Sequence, residues 1–476
     1  MDPTQTILSN RPPESAAAPL ASAAQTAAGI PISERGGAMT LVAVAAGFVM
    51  AMLDVTIVNV ALKPMQISLS MSFTALVWVV DAYTLSFAAL LLLGGAFANR
   101  IGAKAVYQSG LATFVVASLL CGFAITPAML LCARLLQGAG AALFMPSSLS
   151  LLTEAFPAGA RRRKMIGIWG ALVSTAMALG PLCGGVLIAQ FGWRCIFWVN
   201  LPIGIAGLWL TGRYVAPSPR LLAPLNLPGH CCGAIALASL SYALIEAPGS
   251  GWGAPAIFGS GIAAVVAALA FVLLERNGQH RIFPHALIES PAFMGGTTIG
   301  LLINFAVIGA LFLLSLYLQH QRGLPPLEVG LQLSPLMLLF AMGNLLSARV
   351  SHIFGARHGL LGGVVLAALA SLALLLIGTM PYWMILCCVG LANLGAGEAI
   401  PAMNLAVMQS AGSSHSNIAA ATLNASRQIG SLLGVAAVSI VLQAAGSLVM
   451  GYAVSFGVIA AAFFGAAAVA VSAFRD

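Results

Sequence analysis

Met52-Leu53-Asp54-Val55-Thr56-Ile57-Val58-Asn59-Val60-Ala61-Leu62 sets a carboxylate, Asp54, inside an otherwise apolar run over residues 38–62. About 20 apolar residues at 1.5 Å each cross the hydrocarbon of a bilayer, so this run is long enough to span one. An aspartate near the middle of such a helix costs about 2.5–3.5 kcal/mol on insertion scales. A chain that keeps one gives it a proton, a cation or a buried partner to meet. Asp54 is therefore the first candidate functional residue, and the run that holds it marks a membrane protein.

Composition extends that reading to the whole chain. Of 476 residues, 60% are hydrophobic and 7% charged, against roughly 25% charged in soluble domains. The net charge of +8 would suggest nucleic acid in a soluble chain. Here the basic residues cluster between spans, where they set topology, and no nucleic-acid partner is expected. The eight cysteines form no C-x-x-C pair and read as small packing residues rather than metal ligands. Residues 1–37, rich in Ala, Pro and Ser, lack a basic start leading into an apolar core. They read as a disordered cytoplasmic tail, not a secretory signal.

Apolar runs between charged or Pro/Gly breaks give about fourteen spans. They lie near 38–62, 73–98, 105–124, 127–152, 165–189, 193–213, 229–248, 254–274, 293–319, 328–349, 356–378, 382–408, 418–445 and 450–473. The expected fold is all-α and polytopic: a six-helix bundle over 38–213, two additional spans with linkers over 214–292, and a second six-helix bundle over 293–476. With the amino terminus inside, Arg100, Lys104, Arg161, Arg162, Arg163, Lys164, Arg213, Arg220, Arg276, Arg281, Arg349 and Arg357 fall on cytoplasmic connections. Only Lys63, Arg194 and Arg322 fall outside. That asymmetry places both termini in the cytoplasm, in a multi-pass protein of the plasma membrane, the inner membrane of a bacterium.

A faint internal echo suggests two related bundles. Gly138-Ala139-Gly140 in the fourth span recurs as Gly395-Ala396-Gly397 in the twelfth, each followed closely by proline. A small-residue basic linker after the second span, Gly95 to Lys104, recurs after the tenth at Ser347-Ala348-Arg349 through Gly355-Ala356-Arg357. An axis along the membrane normal would relate such bundles and put a site between them.

Several segments resemble the major facilitator superfamily, and within it the fourteen-span drug:proton antiporters. Gly95-Ala96-Phe97-Ala98-Asn99-Arg100-Ile101-Gly102-Ala103-Lys104 is similar to that family's G-x-L-A-D-R-x-G-R-K linker, with Asn99 in place of the usual aspartate and Ala103 in place of a basic residue. Arg134-Leu135-Leu136-Gln137-Gly138-Ala139-Gly140-Ala141 resembles its R-x-x-Q-G-x-G-A segment. Gly180-Pro181-Leu182-Cys183-Gly184-Gly185 resembles its antiporter signature G-P-x-x-G-G, with Gly167 where that signature begins. Leu53 through Leu62, Trp78-Val79-Val80-Asp81-Ala82-Tyr83-Thr84-Leu85, and Trp193-Arg194 through Gly204 resemble the first, second and sixth spans of the drug:proton branch. The likeness covers nearly everything after residue 38.

The resemblance implies alternating access, with proton and substrate competing for one acidic site and the proton gradient as the driving force. No cofactor is expected. Asp54, Asp81 and Arg134 each lie about eight residues, or roughly 12 Å, from the outer end of their spans. At that common depth they can share a cavity. In this reading Asp54 exchanges the proton, Arg134 tunes it, and Asp81 contacts substrate or shares the proton. Glu398 and Arg427, deep in the twelfth and thirteenth spans, form a gate pair, or else Glu398 is a second proton or cation site. Trp78, Tyr83, Trp169, Phe305, Phe312 and Tyr317 are candidate aromatic faces for a lipophilic cation. Glu246, near an outer helix end, reads as a surface residue.

The function expected is export of drugs or toxic, mostly cationic amphiphiles, or of a single metabolite or antibiotic by the same machine. The partners are the small-molecule substrate, protons and the lipid bilayer; nothing indicates an adaptor protein. A membrane-embedded enzyme is disfavoured by the lack of H-E-x-x-H, G-x-S-x-G or a metal-ligand cluster. A passive channel would conduct without proton coupling, and no loop exceeds about 20 residues, too short for the soluble domain of a sensor. If the linker acts as a charge latch between bundles, Asn99→Asp should change turnover more than substrate binding. Initial transport rates across a substrate titration check this; an unchanged rate would count against the latch.

Overall fold

The computed structural model describes residues 34–156, 159–220, 225–278 and 281–474. The tail expected over residues 1–37 lies outside the described residues, save for 34–37, which begin the first helix. Among the described residues, fourteen helices are long and apolar enough to cross a membrane. They are α1 Gly36–Val60, α2 Phe73–Ile101, α3 Ala103–Gly122, α4 Pro127–Ala155, α5 Ala160–Phe191, α6 Cys195–Tyr214 and α7 Leu227–Ser250. The second half holds α8 Pro255–Asn277, α9 Pro291–Gln321, α10 Pro326–Phe354, α11 Ala356–Leu376, α12 Tyr382–Gly412, α13 Ile418–Ala444 and α14 Leu448–Ala473. Short polar side chains start several of them: Ser72, Thr126, Asn226, Ser290 and Ser447 each accept a hydrogen bond from an amide three residues on, meeting donors that the first helical turn leaves unpaired. The even number of crossings brings α1 in and α14 out on one face, called here the terminal face.

α1–α6 and α9–α14 form two pseudo-symmetric bundles, with α7 and α8 as a hairpin outside them. α7 packs on α2 and on the second bundle, whereas α8 packs on α7 and turns residues such as Val265, Val266 and Leu269 outward. The linker echo has a common backbone form. Gly102 and Gly355 are each a one-residue joint between two helices, at φ +98° and +85°. That left-handed conformation suits glycine, which has no Cβ to clash.

The Gly-Ala-Gly echo has a tertiary meaning too. A Cβ on Gly138 of α4 would strike the Tyr83 carbonyl of α2, and one on Gly140 would lie 2.8 Å from the Gly110 carbonyl of α3. In the second bundle Gly397 of α12 seats against the Phe340 carbonyl of α10, and Gly395 against Gly363 of α11. The fourth helix of each bundle therefore seats the second and third through its two glycines, but their order along the chain is reversed. With no hydrophobic force between helices in lipid, such backbone approach supplies the packing energy.

The bundles meet in the half remote from the termini. Ser315 and Gln319 of α9 donate to the Asn59 carbonyl of α1 at 2.6 and 2.8 Å. Lys63, in a short helix after α1 (Leu62–Leu69), donates its ammonium to the Gln319 carbonyl at 2.8 Å. The Leu182 amide of α5 donates to Ser334 of α10 at 2.9 Å. Towards the terminal face α5 loosens: Ile168 and Leu172 are exposed, and a Cβ on Gly167 or Gly170 would meet nothing within 4 Å. The structure is closed on the far face and open on the terminal one.

Gly397→Val should lower thermal stability in detergent sharply, by at least the 1–3 kcal/mol typical of overpacking, because the backbone of α10 blocks any added atom. The same change at Gly167 should leave the melting temperature within about 1 kcal/mol equivalent of wild type.

Candidate functional site

Asp54 of α1 is fully buried and faces Arg134 of α4, 1% exposed, with Nη1 2.5 Å from Oδ2. Gln137 stands one turn along α4 from Arg134, on the same face. Its amide donates to Asp54 Oδ1 at 3.1 Å and to Ser118 of α3 at 2.9 Å, while its carbonyl accepts from the guanidinium at 2.7 Å. Asn200 of α6 also donates to Ser118, at 3.4 Å. The Arg134 Nε donates to the Val79 carbonyl of α2 at 2.9 Å, and the Tyr83 ring lies 4.5 Å from the guanidinium carbon. Five helices thus converge on one ion pair. Both charges have left water, and only this density of hydrogen bonds makes that tolerable.

Asp81 corrects the shared-cavity expectation. It is fully buried, but no ion pair joins it to Arg134, and neither carboxylate oxygen has a hydrogen-bond partner among the described residues. Helical rotation is the reason. Val79 and Tyr83 touch Arg134, and two residues on from Val79 is about 200° around the axis. Asp81 therefore turns away from α4, lying about 60° around α2 from Trp78, whose indole donates to Glu246 of α7 at 2.8 Å. Glu246, read as a surface residue, has this structural partner.

The Glu398–Arg427 gate pair is also corrected. Glu398 of α12 points at Gly359 and Gly363 of α11, whereas Arg427 of α13 lies against Gly300 of α9. The structure does not bring them together, because the two side chains leave their helices on different flanks of the bundle. Among the aromatic candidates, Tyr83 and Phe312 are buried packing residues. Tyr317 is nearly buried and stacks edge-on with Tyr452 at 5.2 Å. Trp169, half-buried, meets Phe48 of α1 edge-on at 4.6 Å and leaves its indole nitrogen without a partner.

The linker works within its own bundle. Lys104 donates to the carbonyls of Gly212 and Val215 at 3.3 and 2.6 Å, capping the end of α6, and its amide donates to Ser218, which donates to Glu154. Asn99 and Arg100 are exposed, and the cap position of α2 is Gly102, so Asn99 caps nothing here. Gly95 packs loosely towards Pro146 of α4. In α5, Gly180 and Gly184 seat against Thr56 and Ile57 of α1. Pro181 and Gly185 face α10 across the bundle seam, through Gly330 and Pro326. The antiporter signature is thus the hinge plate of that seam.

Sequence reasoning missed Gln137, Ser118 and the pairing of Ser315 and Gln319 with Asn59. Gln137 was visible at one helical turn from Arg134; the others carry no local signal.

Two pseudo-symmetric bundles of membrane-length helices, with ionisable side chains buried deep within them, define a secondary transporter. The chain belongs to the Major Facilitator Superfamily, whose family model matches residues 44–230 and 219–435. It is 46% identical to the methylenomycin A resistance protein of Streptomyces coelicolor, over 87% of this chain and 88% of that one. It is 33% identical to the multidrug resistance protein Stp of Mycobacterium tuberculosis, over 85% and 76%. Among solved structures, the peptide transporter POT in complex with sulfate shares the fold at a TM-score of 0.71 and 15% identity, covering 94% of this chain and 97% of that one.

Removing one member of the ion pair leaves a buried charge uncompensated, a cost of about 3–5 kcal/mol. Asp54→Asn and Arg134→Gln should each lower the melting temperature markedly, and the double variant should recover most of the loss. A double variant no more stable than the singles would show that the pair does not act as a unit.

Proposed function

We propose that this protein is a proton-coupled antiporter that exports drugs or toxic amphiphiles from the cytoplasm. The observation that carries the reading is the pair of fully buried carboxylates on α1 and α2, one held by an arginine and one unpaired. The terminal face, which gathers Arg100, Lys104, Arg161, Arg163, Lys164, Arg213, Arg276, Arg349 and Arg357 at its helix ends, is the cytoplasmic face, with both termini there. The described state is then inward-open.

An ionised carboxylate without a partner is costly in an apolar interior, whereas the neutral acid is cheap to hold there. Asp81, buried in α2 with no partner among the described residues, therefore suits the proton-carrying return of the transporter to the inside. Asp54 acts through its clamp. A proton on Asp54 removes the charge that holds Arg134, loosening α1 from α4, while a different face of α1, about Thr56 and Ile57, seats Gly180 and Gly184 of α5. Substrate binding from the cytoplasm expels the proton, and the gradient resets the cycle. The two relatives are named for methylenomycin A resistance and multidrug resistance, which supports an antibiotic or drug as cargo.

A single-antibiotic exporter is the second reading, favoured by the more similar of those two names. Arg427, half-buried beside α9 and without an acid beside it among the described residues, would suit an acidic cargo. The decisive panel therefore contains acids as well as lipophilic cations.

The test is accumulation of a fluorescent lipophilic cation, and survival on the antibiotic panel, in cells stripped of native pumps. Wild type should lower dye or raise resistance in a protonophore-sensitive way. In proteoliposomes Asp81→Asn should abolish substrate-driven proton movement while leaving substrate exchange at equilibrium within about threefold of wild type. Proton movement unchanged in both Asp54→Asn and Asp81→Asn would sink the assignment.

A further inference from the structure

A cavity of about 740 Å³ opens on the second bundle, lined by α10, α11 and α12 and by no residue of the first bundle. It lies away from the seam where the bundles meet. Its walls include Gly343, Leu346, Gly362 and Leu366, and its mouth is framed by Ile353, Phe354 and His358 at the terminal-face ends of α10 and α11. Ile353 and Phe354 are 69% and 65% exposed, so the mouth stands where the lipid headgroups and upper acyl chains of that leaflet would lie.

Glu398 of α12 is the one carboxylate lining this cavity among the described residues. It is 8% exposed, and neither carboxylate oxygen has a hydrogen-bond partner among the described residues. Gly359 and Gly363 of α11 make the room for it, since a Cβ on either would run into the carboxylate. Apart from His358 at the mouth, no cationic side chain lines the space. An acid in the wall of an apolar cavity of drug-like volume suits a cation that is itself apolar elsewhere.

We propose that this cavity is a binding site for lipophilic organic cations bearing an amine or ammonium group, which enter from the terminal-face leaflet with the cationic head on Glu398 and the tail towards the bilayer. Two sources share that chemistry, an amine-headed phospholipid and a foreign amphiphile dissolved in the leaflet. The site is separate from the path between the bundles and does not rest on the transport reading.

The experiment uses the full chain in nanodiscs of phosphatidylcholine and phosphatidylglycerol, with a photoreactive long-chain alkylamine as probe and mass spectrometry to map the label. Wild type should be labelled on the α10–α12 residues that line the cavity. Glu398→Gln removes the charge at nearly constant shape, and should cut that label at least tenfold. Gly362→Phe should do the same by filling the space, and it forces no backbone shift, because a Cβ on Gly362 meets nothing within 4 Å. Loss of label on adding phosphatidylethanolamine would identify the lipid amine as occupant; loss with rhodamine 6G but not with the lipid would identify the foreign cation. The proposal falls if wild type takes no label in α10–α12, if both variants are labelled like wild type, or if a neutral photoreactive alcohol of the same chain length labels the cavity equally well. Because binding alone is read, a wild type that exports nothing would overturn the exporter reading and leave this result standing.

Discussion

The ion pair between Asp54 and Arg134 is the constraint on which the first bundle depends. Two charges removed from water are costly, and their mutual attraction offsets that only when every remaining polar atom is engaged. Gln137, Ser118, Asn200 and the Val79 carbonyl are those engagements, drawn from α2, α3, α4 and α6. The helices cannot slide or rotate past one another without leaving a charge alone. The pair is therefore both the lock on the bundle and the place where one proton has the largest mechanical effect.

The second bundle repeats the packing without repeating the lock. Gly395 and Gly397 seat α11 and α10 as Gly140 and Gly138 seat α3 and α2, yet Glu398 has no arginine to meet. The acid lies under Gly359 and Gly363 of α11 instead, in the wall of a cavity between α10, α11 and α12. The first bundle is stiffened by the network around its ion pair, although Asp81 within it has no partner among the described residues, as Glu398 has none in the second. Between them lies a seam bonded on the far half through Asn59, Gln319, Leu182 and Ser334. Hydrogen bonds at such a seam, each with a backbone carbonyl or amide that helices tolerate losing near proline and near helix ends, can be made and broken without unfolding either bundle.

Membrane spans were legible because hydropathy runs are long and local, and charges break them cleanly. Span boundaries agree with the helices to within a few residues, as at residues 73–98 against Phe73–Ile101. The likeness to the superfamily, read from the linker, the fourth span and the antiporter signature, held for the same reason: each motif serves a local backbone need, a glycine joint at Gly102 or a close approach at Gly180. The depth of a charge was legible too, since rise per residue is constant. Its direction was not. Asp81 and Arg134 stand at one level, but rotation along α2 turns Asp81 from the arginine, and a small error in helix phase or crossing angle exceeds what one sequence can resolve. Glu398 and Arg427 failed as a pair for the same reason.

By itself, then, the sequence determined that this chain crosses a membrane about fourteen times, that the crossings form two related sets, and that a few ionisable residues lie at membrane depth. Those follow from transfer energies and from rise along a helix, which are properties of each segment alone. Only the tertiary structure decided which charges meet. It paired Asp54 with Arg134, left Asp81 and Glu398 without hydrogen-bond partners among the described residues, and turned Glu398 towards α11. Partnership depends on the angle each helix presents to its neighbours, and that angle is set by glycine contacts between segments well separated in the sequence.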